Sequence, residues 1–172
     1  WSGINIDISK ESIDLFNTFR PKDKNLNLGI SIKTGLEDAF FEKKISPISS
    51  LRPDYLEKFP NNKVNIVRKI KTLTMGDLFE KNEITEVDFL KIDCEGLDTS
   101  IIKTINFEKY KINFLSVEFL DPYADFINKK NNDIKSVHQL FFSSEMYNEL
   151  KTNFELLDHD KFAFLLVNKK IY

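Results

Sequence analysis

The chain of 172 residues has only one cysteine, Cys94, and two histidines. Disulfides within the chain and thiolate zinc clusters are thereby excluded, which suits a reducing compartment. His138 and His159 form neither a metal spacing nor a triad spacing. Blocks of like charge are also missing. The 25 basic and 27 acidic residues alternate in short runs around a net charge of -2, which gives no electrostatic case for nucleic acid or an anionic membrane as a partner. The longest apolar stretches, such as Phe162–Val167, fall far short of the ~20 residues a membrane span needs. Trp1 is preceded by no initiator methionine, basic segment or signal-like apolar run, so the start reads as a cut. The expectation is a soluble, cytoplasmic protein.

What the chain has is enough apolar material, 41% hydrophobic and 13% aromatic, for the core of one domain over 1–172. Ile4, Ile6 and Ile8 alternate with polar residues and predict a strand; Lys10–Phe19 follows with helical spacing. Asn25–Lys33 alternates again as a second strand. Thr34–Asn62, with Gly35, Pro47, Pro53 and Pro60, is the least regular part, and Leu36–Lys44 inside it has the pattern of a short antiparallel strand. Val64–Leu73 reads as a strand and Thr74–Asn82 as a short helix with Thr74 at its N-cap. Val87–Asp93 is a strand, Leu97, Ile101, Ile102 and Ile105 share one helix face, and Ile112–Leu120 is a near-continuous apolar run: a parallel crossover unit. A long helix over Ile134–Asn153 precedes two strands around a turn at Asp158–Lys161. The fold class is α/β, a mostly parallel sheet closed by a C-terminal antiparallel hairpin, whose ligand crevice lies beyond the carboxyl ends of the parallel strands.

Acids stand at those ends. Asp7 closes the first strand, where nucleotide-binding sheets place an acid for ribose hydroxyls; its plainer role is to start a turn with Ser9 and Lys10. Asp93, Glu95 and Gly96 form a tighter group. Capping the next helix would account for one acid, but not for two acids and a glycine in four residues. Lys91 and Glu118 interrupt otherwise apolar strands, either as an ion pair or as part of a site. Cys94 reads as a small core filler rather than a nucleophile.

The stretch TLTMGDLFEKNEITEVDFLKIDCEGLDTSIIKTI, Thr72–Ile105, followed by FLSVEF at Phe114–Phe119, resembles the FkbM family of S-adenosylmethionine-dependent methyltransferases. WSGINIDIS and FRPKDKNLNLGIS are similar to that family's second strand, helix and third strand, and the likeness runs from Trp1 to the terminal FAFLLVNKK. It implies a class I, Rossmann-like sheet and S-adenosylmethionine as cofactor. It also implies that Asp7 holds the cofactor ribose, that Asp93 ends the fourth strand near the methionine moiety and the acceptor, and that Glu95 and Gly96 complete the motif. Glu118 matches an acid on the fifth strand. The family's first strand and glycine-rich loop have no counterpart in the sequence, which puts cofactor binding by the chain alone in doubt.

The resulting expectation is methyl transfer from S-adenosylmethionine to an oxygen of a small-molecule or glycan acceptor. Asp93 is the first choice of base and Glu118 the second; Asp7, Asp93, Glu95 and Gly96 are the cofactor-binding set. A divalent cation on Asp93, Glu95 and Glu118 is the metal-assisted variant, unsupported by any histidine, so no metal is expected. The alternative from another class is a non-catalytic α/β module without cofactor binding. Acceptor identity and oligomeric state are not encoded in any motif.

Overall fold

Two isoleucines facing the same way in β1 (Ile4–Asp7) begin the chain's first layer, which the computed structural model describes over residues 2–44, 49–57, 63–119, 134–160 and 162–171, with only the backbone of 134–136. β1 pairs in parallel with β2 (Lys24–Asn27), in register from Ile4 opposite Lys24 to Asp7 opposite Asn27. Between them α1 (Lys10–Phe19) starts at Ser9, whose Oγ accepts a hydrogen bond from the Ser12 N–H at 3.2 Å. That bond satisfies one of the free donors of the first turn.

The single strand expected over Asn25–Lys33 is instead two. The chain leaves β2 at Leu28, whose N–H donates to the Leu26 carbonyl at 3.1 Å, and β3 (Gly29–Ile30) joins a different sheet beside β6 (Ile66–Leu73). Gly29 permits the change: a Cβ there would stand 3.2 Å from the side chains of Ile8, Leu51 and Thr72. Alternation reports which side of a strand faces the core, and it continues across such a jump.

The irregular region builds its own layer. β4 (Gly35–Phe41) lies antiparallel to β6 from Gly35 opposite Thr72 to Phe41 opposite Ile66, so the antiparallel strand expected near Leu36–Lys44 is present. β5 (Ser49–Ser50) borders β4, and α2 (Pro53–Glu57), which carries no periodic signal in the sequence, follows it. A small core of Ala39, Phe41 and Ile70 fills this layer. Arg68 grips Glu11 with both guanidinium nitrogens at 2.8 and 2.9 Å, tying the layer to α1.

The larger layer holds the main core. α3 (Met75–Lys81) begins at Thr74, whose Oγ1 accepts from the Asp77 N–H at 3.1 Å, as expected of an N-cap. β7 (Glu86–Ile92), α4 (Asp98–Ile102) and β8 (Lys111–Glu118) form the parallel crossover, registered from Glu86 opposite Lys111 to Ile92 opposite Val117. The expected helix over Ile134–Asn153 is two helices, α5 (Ile134–Phe142) and α6 (Glu145–Leu150). Ser143 and Ser144 break it by bonding backbone groups themselves, Ser144 Oγ donating to the Phe141 carbonyl and accepting from the Tyr147 N–H. The hairpin of β9 (Phe154–His159) and β10 (Ala163–Asn168) closes the sheet, with β10 antiparallel to β8. Leu120, at the end of the strand expected over Ile112–Leu120, and Lys161, in the expected turn, lie outside the described residues.

Mixed α/β architecture is therefore present, but among the described residues its ladders form three sheets, β1-β2, β3-β6-β4-β5 and β7-β8-β10-β9. Three strand pairs are parallel and four antiparallel among the described residues, so the single mostly parallel sheet expected from the pattern is not what the hydrogen bonds make. The segment from β4 to β6 accounts for two of the antiparallel pairs. Among the described residues β1 has a ladder only on its β2 side and β7 only on its β8 side. Ile6 and Leu26 nevertheless pack on the same core cluster as Ile92, Leu115 and Val117. Among the described residues no helix is long and apolar enough to cross a membrane.

Candidate active site

β7 delivers Asp93 at its carboxyl end, and the next three residues turn sharply before α4. Glu95 (φ 46°) and Gly96 (φ 94°) both take the left-handed region. Glycine adopts it without penalty, whereas a glutamate held there needs support from its surroundings. That support comes from both flanks. Asp98, 6% exposed at the first turn of α4, accepts the Cys94 N–H at 2.8 Å and the Gly96 N–H at 3.2 Å. From the β5–α2 segment, Ser50 Oγ donates to the Glu95 carbonyl at 2.8 Å and Arg52 Nη1 donates to the Gly96 carbonyl at 2.8 Å.

β8, parallel to β7, brings Glu118 to the same end. Carboxylate oxygens of Asp93, Glu95 and Glu118 lie within 4.8 Å of one another. Such crowding favours taking up a positive charge, as a proton or a cationic ligand; the three acids could also hold a hard cation. Burial, followed by the charges of Asp93, Glu95 and Asp98, pushes Glu118 far above the ordinary carboxylate range, and it shares a hydrogen bond with Asp93. At neutral pH Glu118 is thus the protonated partner. Its Oε2 is buried with no hydrogen-bond partner among the described residues.

Glu95 is pushed up to about 7, first by burial and then by Asp93 and Asp98, against the opposing effects of the Tyr55 hydroxyl and Lys91. Asp98 rises to about 6 because it is buried, although three backbone N–H groups favour its charged form. Lys91 forms an ion pair with Asp93 at 2.8 Å, not with a strand partner, and its own pKa is raised chiefly by that bond. Cys94 packs against the main core, and burial holds its thiol well above the usual range, as suits a core filler.

Asp7 belongs to the same neighbourhood. It closes β1, and burial raises its pKa with a further contribution from the charge of Asp93. Its Oδ1 also accepts the Ser9 N–H at 2.7 Å, so the turn-starting role read from the sequence is present beside any ligand role. The fold thus brings together Asp7, Asp93, Glu95, Gly96 and Glu118, and leaves His138 and His159 elsewhere, 4.8 Å apart in an aromatic stack with Phe142 and Phe164.

A family model described as the methyltransferase FkbM domain matches residues 1–155. The chain belongs to the FkbM methyltransferase family. No curated protein and no solved structure matches it. Within this FkbM domain the match takes in β1 through the start of β9, and so every acid of the cluster.

Sequence reasoning missed Ser50, Arg52 and Tyr55 as parts of the site, and saw Asp98 as a member of the acidic cluster without giving it a role. For Asp98 the signal was its place four residues after Cys94, the reach of a carboxylate folding back on a loop. For the other three it was only indirect: the glycine at 96 leaves room that some neighbour fills. The Tyr55 ring fills it, with atoms 2.3 to 2.9 Å from where a Cβ would stand.

Proposed function

We propose that this FkbM domain transfers a methyl group from S-adenosylmethionine to a hydroxyl oxygen of a small molecule or glycan, at the acidic cluster beyond β1, β7 and β8. The observation that carries the reading is the meeting of Asp7, Asp93, Glu95 and Glu118 at one end of strands from different ladders, in a chain of a methyltransferase family. On this reading β2-β1 and β7-β8-β10-β9 are two parts of one Rossmann-like arrangement, which the shared core beneath them supports.

The donor set fits the cofactor. S-adenosylmethionine carries positive charge at its sulfonium and its amino group, and a crowd of carboxylates with an orphaned buried oxygen on Glu118 is suited to a cation with hydrogen-bond donors. Asp7 would take the ribose hydroxyls, and Asp93, Glu95 and Gly96 would line the methionine end. When bound, the cofactor supplies the electrophilic methyl.

The chain's own residues supply alignment, exclusion of water and a place for one proton. Asp93 is the better base. Glu118 already holds a proton at neutral pH and donates toward Asp93, whereas Asp93 is partly exposed, 37% at its side chain, and paired with Lys91. Asp93→Asn nearly preserves shape and removes the charge, so turnover on an acceptor drawn from a panel of hydroxylated small molecules and glycans should fall by ~10² to 10⁴-fold with little change in Tm. Turnover within a few-fold of the parent would take the base role from Asp93 and pass it to Glu118.

A further inference from the structure

The turn between β7 and α4 is gripped at both edges of two successive peptide units. The unit joining Glu95 to Gly96 gives its N–H to Asp98 at 3.2 Å, while its carbonyl accepts from Ser50 Oγ at 2.8 Å. The unit joining Gly96 to Leu97 gives its N–H to the Cys94 carbonyl at 3.3 Å, while its carbonyl accepts from Arg52 Nη1 at 2.8 Å. A planar peptide held at one edge can still rotate through the torsions on either side of it; held at both, it cannot. This matters at Glu95, where the left-handed backbone, φ 46°, is a conformation a glutamate leaves when released. A flip there would swing its side chain away from Asp93 and Glu118.

Both carbonyl donors come from one short segment some 45 residues away in the chain, and both are aimed before they reach the turn. Ser50, 1% exposed, accepts the Arg52 N–H at 3.0 Å, which leaves its one proton to be donated to Glu95. Asp54 orients the Arg52 guanidinium through Nη2 at 2.6 Å, with Nε at 3.4 Å, and turns Nη1 to the Gly96 carbonyl. Docking of α2 on the rest of the fold is already served by Tyr55 and Leu56, which are buried. Packing of that kind would not require two side chains to end on consecutive carbonyls of the acidic turn.

We propose that Arg52 and Ser50 are positioning residues of the acidic site: they clamp the peptide units on either side of Gly96 and so hold the Glu95 side chain where it meets the cofactor. The inference rests on the cofactor-site reading above. Charge and positioning predict opposite effects at Arg52. Removing a cation beside a crowd of carboxylates favours a cationic ligand by charge alone, so weaker binding in its absence reports the lost clamp.

The test measures S-adenosylmethionine binding by calorimetry, and Tm by thermal unfolding, for the full chain, Arg52→Met, Ser50→Ala and Lys69→Met. The last removes a surface ion pair with Asp38 in the same layer and serves as the control. Arg52→Met should bind about tenfold more weakly, the effect of one hydrogen bond from a charged group, and Ser50→Ala about fivefold. Lys69→Met should bind as the parent does. Adding Arg52→Met to Glu95→Gln should lower affinity no further, because the clamp acts through Glu95. If the parent binds and either Arg52→Met or Ser50→Ala binds equally well, or if the control loses as much, the segment only packs and the inference fails alone. A further loss on the Glu95→Gln background overturns it as well. If the parent does not bind the cofactor, the site reading fails and takes the inference with it.

Discussion

At the scale of single residues the site is a problem in crowded charge. Asp93, Glu95, Asp98 and Glu118 occupy one corner with Lys91, and the chain relieves the repulsion by protonating Glu118 and by tying the buried Asp98 to backbone donors. Gly96 is the residue on which this arrangement turns. Gly96→Ala puts a Cβ at 2.3 Å from the Tyr55 ring on backbone at φ 94°, so two penalties add. Denaturant unfolding should show a loss of about 2 to 4 kcal/mol, whereas Gly35→Ala, where a Cβ meets nothing within 4 Å, serves as the control. Equal midpoints for the two variants would remove Tyr55 from its place behind the turn. Acids at strand ends were legible in the sequence because a period-2 pattern stops where they begin. Tyr55 was not, since nothing in a Pro- and Ser-rich stretch says which turn an aromatic ring will meet 41 residues later.

Elements with strong periodicity were legible as elements; their interruptions were not. The β7–α4–β8 crossover, the closing hairpin and the Thr74 cap follow from spacing and cap chemistry. Two expectations failed for one physical reason. Hydrophobic spacing persists through a short break, so β2 and β3 read as one strand across Leu28, and α5 and α6 as one helix across Ser143–Ser144. In the helical case the break has a chemical origin that can be tested. Ser144 caps α6 through the Tyr147 N–H at 3.1 Å, and Ser144→Ala should cost about 1 kcal/mol in stability, with Ser144→Asp restoring most of it. A Ser144→Ala variant as stable as the parent would show that packing of Met146 and Leu150, not the cap, sets where α6 begins.

For the whole molecule the raised acids imply a stability that falls as pH rises. Glu95 at about 7 and Asp98 at about 6 hold protons more tightly folded than unfolded, so their contribution is fully present below about pH 4 and is lost as pH rises through 6 and 7. Glu11, lowered to about 2 by Arg68, acts oppositely, its contribution being present above about pH 4.5 and lost on acidification toward 2. Urea midpoints should therefore be higher near pH 5 than near pH 8, and Glu95→Gln should flatten that slope; a midpoint that rises from pH 5 to 8 would contradict the crowded-acid description. The central claim is that this corner of the FkbM domain receives the methyl donor. Backbone amide shifts measured by NMR during titration with S-adenosylmethionine test it most directly. The account predicts the largest changes at Asp7, at Asp93 to Gly96 and at Glu118, with His138 and His159 unmoved; saturable changes centred on the β4–β6 layer or the His138–His159 stack, with the acidic corner silent, would contradict it.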